Sequence, residues 1–174
     1  MGGLITRVAL LGSAKGWEGF PNAKLKVGDV VTLGTPHNGV KCEDDKGDGK
    51  DKCPDNAQWK SMDPDSHFMD VLHSKENSLG EWGKATDWSF VGAKEDETVS
   101  GSSAIDKGRD ANHKYWYDNG GDYKLGHSEL RAFYKGQYAL DHWHTRDGGK
   151  KHSTEKGWAP LKIAFNAIDK NDKW

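Results

Sequence analysis

Two side chains in this 174-residue sequence stand where acid–base chemistry would need them. Asp96 follows the apolar run Trp88–Ala93, and His127 follows the aromatic run His113–Tyr117 after a glycine-rich stretch. In open α/β sheets, reactive groups sit on loops past the carboxyl ends of strands. A carboxylate ahead of a histidine, each after its own strand, matches the last two members of an acyl-transfer triad in the order Ser, Asp/Glu, His. In such a triad the acid fixes the imidazole tautomer, and the imidazole takes a proton from the serine hydroxyl.

Other groups compete for these roles. Glu95 and Glu97 flank Asp96, and Glu95 is the alternative acid. His127 is one of 8 histidines. His37 sits in the turn Gly34–Gly39, where bracing the backbone is favoured over chemistry. His142, His144 and His152 lie in a polar stretch without the cysteine or carboxylate spacing of a metal site. Ser128 lies within Gly126-His127-Ser128, but Leu130 stands where a nucleophile elbow needs a small residue. The acidic loop Asp44–Gly49 has Lys46 at a ligand position of a calcium loop and no closing glutamate. No metal and no organic cofactor is expected.

The elements that must carry Asp96 and His127 follow from hydrophobic patterning. Leu4, Ile5, Val8 and Leu11 recur near helical spacing, with Gly12 and Gly16 as stop signals. Val27–Leu33 and Trp88–Ala93 read as short buried strands, and His113–Tyr117 as a third. Residues 57–73 look helical towards their end. Lys94–Ala104 and Gly120–Leu130 read as loops, and a polar stretch rich in His and Gly comes next. Trp158–Ile168 reads as a closing amphipathic helix with Leu161, Ile163, Ala164, Ala167 and Ile168 apolar. The predicted class is α/β, the C-terminal half of a doubly wound sheet with its last three strands and flanking helices. Residues 1–174 then form a single partial domain.

Composition sets outer bounds. Apolar residues make up 34% and charged residues 30%, and mean hydropathy is −0.91. These values are low for a self-contained domain with a large core. The net charge of −2 offers no field for nucleic acid. No apolar run approaches the roughly 20 residues of a membrane-spanning helix. No secretory leader follows Met1. Cys42 and Cys53 bracket a polar loop, and a disulfide between them would stabilise by about 3 kcal/mol in the chain-entropy model. It would imply an oxidising, extracellular location.

Four segments, in order, resemble the α/β-hydrolase family of serine esterases and lipases. Met1-Gly2-Gly3-Leu4 is similar to the back half of the elbow G-x-S-M-G-G-L, with Gly2 at the place that leaves room for the turn. Val30–Gly39 resembles the strand and G-T-P-H-x-G turn of lipase-like esterases. Val91–Val99 resembles the segment holding the triad acid, and Gly126–Leu130 the segment holding the triad histidine. The Cys-bounded insertion ahead of Trp59, Met62, Pro64, Ser66 and Phe68 looks like that of secreted actinobacterial-type lipases. The resemblance covers about residues 1–130. It implies Asp96 and His127 as catalytic residues and the backbone N–H at Met1 as an oxyanion donor. It implies a nucleophilic serine one residue before Met1, with the earlier strands preceding it. The implied activity is hydrolysis of a small or lipid ester through an acyl-serine. The alternatives are a non-catalytic binding fragment and an acyltransferase on the same fold.

Overall fold

A computed structural model describes residues 1–41, 56–79, 85–105, 111–118 and 124–170. Cys42, Cys53 and the acidic loop Asp44–Gly49 lie outside the described residues.

Three short strands run parallel: β1 (Asp29–Leu33), β2 (Asp87–Ala93) and β3 (His113–Tyr117). Val31 stands opposite Ser89, and Val91 stands opposite Tyr115. Side chains of a strand alternate between its two faces. Val30, Trp88 and Phe90 therefore pack on one side, while Val31, Leu33, Val91, Ala93, Tyr115 and Tyr117 pack on the other. Burial on both faces explains why β2 is an almost unbroken apolar run.

The first face is covered by helix α1 (Gly2–Lys15), which brings Leu10 onto Trp88 and Phe90. Leu4 and Leu11 of α1 meet helices α2 (Ala57–Met62) and α3 (His67–His73) through Met62, Met69 and Leu72. Asn56 and Ser66 cap these two helices by accepting the amides of Trp59 and Met69. The short helix α4 (Gly101–Ile105) connects β2 towards β3. It falls in a segment whose sequence reads as loop. Its buried Ala104 and Ile105 lie where a Cβ on Gly92 would meet them.

The opposite face carries α5 (His127–Leu130) and α6 (Pro160–Lys170). Leu130 and Ile163 join the core beneath them. Ile163 and Ala167 are buried, but Ile168, expected on the inner face of α6, is 58% exposed. The helix turns that residue away from the sheet.

Two strands lie where the sequence showed only a polar stretch. β4 (Gln137–His144) runs antiparallel to β3, and β5 (Lys151–Trp158) runs antiparallel to β4. The five-stranded order is β1-β2-β3-β4-β5, so the three expected strands are present and a hairpin extends them. The result is a mixed sheet with helices on both faces, an α/β architecture. β1 is an edge of this sheet. Among the described residues, no helix is long and apolar enough to cross a membrane.

Gly12 does not stop α1. The helix runs on to Lys15 and ends at Gly16, whose φ of 65° is the left-handed cap that glycine favours. Gly12 instead admits the Phe20 ring, which a Cβ there would meet at 2.7 Å.

Candidate active site

The site is built at the carboxyl ends of β1 and β2. β1 is followed by Gly34, which has φ 56° and donates its N–H to the Val91 carbonyl. The turn that follows is held from several sides. Ser103 of α4 donates its hydroxyl to the Gly39 carbonyl at 2.6 Å and accepts the Asn38 amide at 3.1 Å. The His37 amide donates to the Ser103 carbonyl. From below, His73 and the buried Arg7 both donate to the His37 carbonyl, at 2.8 and 3.5 Å.

His37 is fully buried. Its Nε2 lies 2.8 Å from the Thr32 hydroxyl, and its ring stacks on Phe90 at 3.6 Å. Burial, with the nearby Arg7 cation adding to it, holds its pKa well below the usual imidazole value. A neutral, buried, stacked histidine braces the turn and has no access to a substrate.

β2 ends in a tight turn that carries Asp96. The Asp96 side chain is 0% exposed. Its Oδ1 accepts the backbone amides of Thr98 and Val99 at 2.9 and 2.8 Å. Its Oδ2 lies 2.8 Å from Nδ1 of His127, whose side chain is 28% exposed. Two backbone donors leave Oδ2 free to point at the ring. A carboxylate accepts only, so Nδ1 donates, and in the neutral ring the lone pair lies on Nε2. This is the tautomer of a general base.

Gly34 closes the arrangement. A Cβ on it would stand 2.9 Å from Asp96 Oδ2 and 3.0 Å from His127 Nδ1. The acid–imidazole pair therefore packs directly against the α-carbon of Gly34. That role was legible only in part: the glycine follows a strand in a recognisable motif, but the closeness of two side chains from distant segments is not local information. Ser103 left no sequence signal at all.

Two cavities meet at His127. One, of about 210 Å³, is lined by Met1, Pro36, Val40, Trp59, Met62 and Val99 together with His127. It is largely apolar. The other, of about 350 Å³, is polar and is lined by Glu95, Glu97, Glu129 and Ser128 among others. Asp96, and not Glu95, is the carboxylate bonded to His127. Ser128 is exposed on α5 at the rim of the polar cavity.

Met1 is brought to the same apolar cavity as His127, across most of the sequence. Its carbonyl accepts the amides of Leu4 and Ile5, so it is the N-terminal flank of α1. A helix N-terminus presents unsatisfied N–H groups and a positive dipole end. The tight glycine of this segment is Gly3, where a Cβ would stand 2.6 Å from Thr35 Cγ2 and 2.9 Å from Thr32 Cγ2. Gly2, expected to fill that role, has nothing within 4 Å of its Cβ position. Trp88 is buried in the core beneath α1, whereas Trp59 lines the apolar cavity.

No family model, curated protein or solved structure matches the chain.

Among the described residues, no group of three or more His, Cys, Asp or Glu converges to hold a metal ion.

Proposed function

We propose that the chain supplies the acid and base of a serine hydrolase that cleaves small carboxylic esters. One observation carries the reading: a buried carboxylate holds an imidazole in the base tautomer at a cavity that the N-terminal end of a helix also lines. The nucleophile is a serine immediately before Met1 in the parent chain. His127 Nε2 takes the proton of that hydroxyl as its oxygen attacks the ester carbonyl. The oxyanion that forms accepts the N–H at Met1, a contact typically worth about 3 kcal/mol in the transition state. His127 then gives the proton to the leaving alcohol, and water repeats the sequence to release the acid. Asp96 stabilises the imidazolium throughout.

The acyl group fits the apolar cavity of Met1, Val40, Trp59 and Met62. At about 210 Å³ it lies below the ~300 Å³ at which drug-sized pockets begin, which favours a short acyl chain.

Short p-nitrophenyl esters test this. The chain extended upstream through the serine is expected to turn them over and to lose that turnover in His127→Ala. Residues 1–174 alone are expected to be inactive, for want of an acyl acceptor. Turnover by residues 1–174, abolished by His127→Ala, would overturn the assignment of the nucleophile.

A further inference from the structure

A second set of titratable groups lies away from this site, towards the opposite end of β2 and β3. His113 begins β3, Asp87 begins β2, and His144 ends β4. The pairing register sets His113 directly opposite His144, Tyr115 opposite His142, and His142 opposite His152. Alternation then puts His113, Tyr115, His142 and His144 on one face of the sheet. The rings are linked in series. His113 Nε2 lies 3.1 Å from both carboxylate oxygens of Asp87. His113 Nδ1 lies 2.5 Å from His144 Nδ1, and His144 Nε2 lies 2.7 Å from His142 Nδ1. The His142 ring stacks on His152 at 5.2 Å, and His152 Nε2 lies 2.7 Å from Asp147. Both His113 and His144 are buried.

The order of these contacts decides what they can do. His144 spends one nitrogen on each neighbour, so the lone pairs run along a line and do not converge on one point. A metal ion needs convergence, and a proton chain needs a line. With all three rings neutral, one arrangement satisfies the three hydrogen bonds from Asp87 to His142. His113 donates Nε2–H to Asp87, His144 donates Nδ1–H to His113, and His142 donates Nδ1–H to His144.

One extra proton fits without breaking a link. It enters on His142. The proton between His142 and His144 moves to His144 Nε2, and the proton between His144 and His113 moves to His113 Nδ1. The positive charge then rests on His113, beside the Asp87 carboxylate. A second extra proton has no such place. It puts two N–H groups face to face at a bridge, or two like charges directly opposite one another across strands, which is destabilising.

We propose that Asp87, His113, His144 and His142 form a one-proton relay that fastens the β4–β5 hairpin to the parallel strands at neutral pH and releases it on acidification. The groups that face the relay agree on the direction. His152 on β5 adds positive charge when protonated, and burial and His152 together hold His142 below the usual imidazole value. Asp147 in the hairpin turn and Asp141 on β4 oppose this but are engaged elsewhere, with His152 and with Lys151 and Ser153. Tyr115 on β3 offers ring contacts to His142 and His144. From β2, Asp87 faces the relay, and it accommodates one charge. A histidine with a depressed folded-state pKa binds fewer protons folded than unfolded. Its stabilisation is therefore complete above the unfolded value of about 6.5 and is lost as pH falls below it.

Backbone hydrogen exchange of the intact chain tests the relay. Between about pH 7.5 and about pH 5, corrected for intrinsic exchange, β4 and β5 amides are expected to lose protection by at least about tenfold more than β1 and β2 amides do. His144→Phe, which fills the same space without titrating, is expected to abolish that pH dependence. An unchanged pH dependence in His144→Phe, or none in the parent chain, would overturn the proposal. Should His144→Phe fail to fold, ¹⁵N NMR of the parent chain decides: a coupling between the facing nitrogens of His113 and His144 is expected, and its absence overturns the relay. Zinc added to the chain is expected to leave its melting temperature unchanged. A zinc-dependent rise with joint shifts of the His113 and His142 resonances would show a metal site in the relay's place.

Discussion

Asp96→Asn separates the electronic role of Asp96 from its structural one. Asparagine is nearly the same shape, and its Oδ1 still accepts the amides of Thr98 and Val99, at 2.9 and 2.8 Å in the parent. The change falls on the other atom. Where Oδ2 accepts from His127 Nδ1 at 2.8 Å, an amide NH₂ now faces the ring. Two donors cannot share that contact, so His127 must move its proton to Nε2 and accept at Nδ1. The base then has no lone pair to offer the cavity. A charge-assisted hydrogen bond becomes a neutral one in a fully buried place, which costs about 1–2 kcal/mol of stability. The loss in turnover is far larger, about four orders of magnitude for a wrong-tautomer triad histidine, or about 5.5 kcal/mol in the barrier. The assays are ¹⁵N NMR of His127, urea unfolding, and p-nitrophenyl ester hydrolysis by the upstream-extended chain. A variant whose His127 keeps its proton on Nδ1, or whose turnover falls less than about tenfold, would refute the reasoning.

Three further outcomes follow from the same geometry. Gly34→Ala pays about 1–2 kcal/mol for a side chain at φ 56° and pushes the Asp96–His127 pair apart, so ester turnover should fall about a hundredfold while the fold survives urea titration at a lower midpoint. Ser103→Ala leaves the Gly39 carbonyl and Asn38 amide without their hydroxyl partner; it should cost about 1–3 kcal/mol in urea unfolding and loosen the Gly34–Gly39 turn in hydrogen exchange. For His37, the folded-state pKa is depressed, so the unfolded chain binds more protons below about pH 6.5 and stability falls with pH there, by up to about 1.4 kcal/mol per unit. The difference in unfolding free energy between the parent and His37→Gln should grow smaller as pH falls below 6.5, and a constant difference would remove His37 from the pH dependence.

The parallel strands were legible because their signal is strong and local. Burial on both faces makes β2 almost wholly apolar, and β3 shows its alternation in His113, Tyr115 and Tyr117, all buried, against the half-buried Lys114 and Trp116. The loops after these strands then singled out Asp96 and His127 without any knowledge of distance. The small helix α4 escaped because five residues are too few to show helical periodicity, and Gly101-Ser102-Ser103 reads as a loop.

The hairpin of β4 and β5 was missed for a different reason, and the reason bears on function. Edge strands carry a weak apolar signal, and β5 is mostly exposed, with Lys, Ser, Thr and Glu along it. β4 does alternate, but its inward positions run Tyr138, Leu140, His142, His144, so the apolar half of the pattern turns into histidine midway. Read by hydrophobicity, the strand ends at Leu140. Read by burial, it continues, because His144 meets His113 across on β3 and His142 meets His144 two residues along the same strand. A core made of hydrogen-bonded imidazoles holds only while those rings are largely uncharged, whereas the contacts of Tyr138 and Leu140 with the apolar core do not depend on imidazole protonation. The two halves of β4 should therefore part company in acid, with amides beside His142 and His144 exchanging before those beside Tyr138 and Leu140.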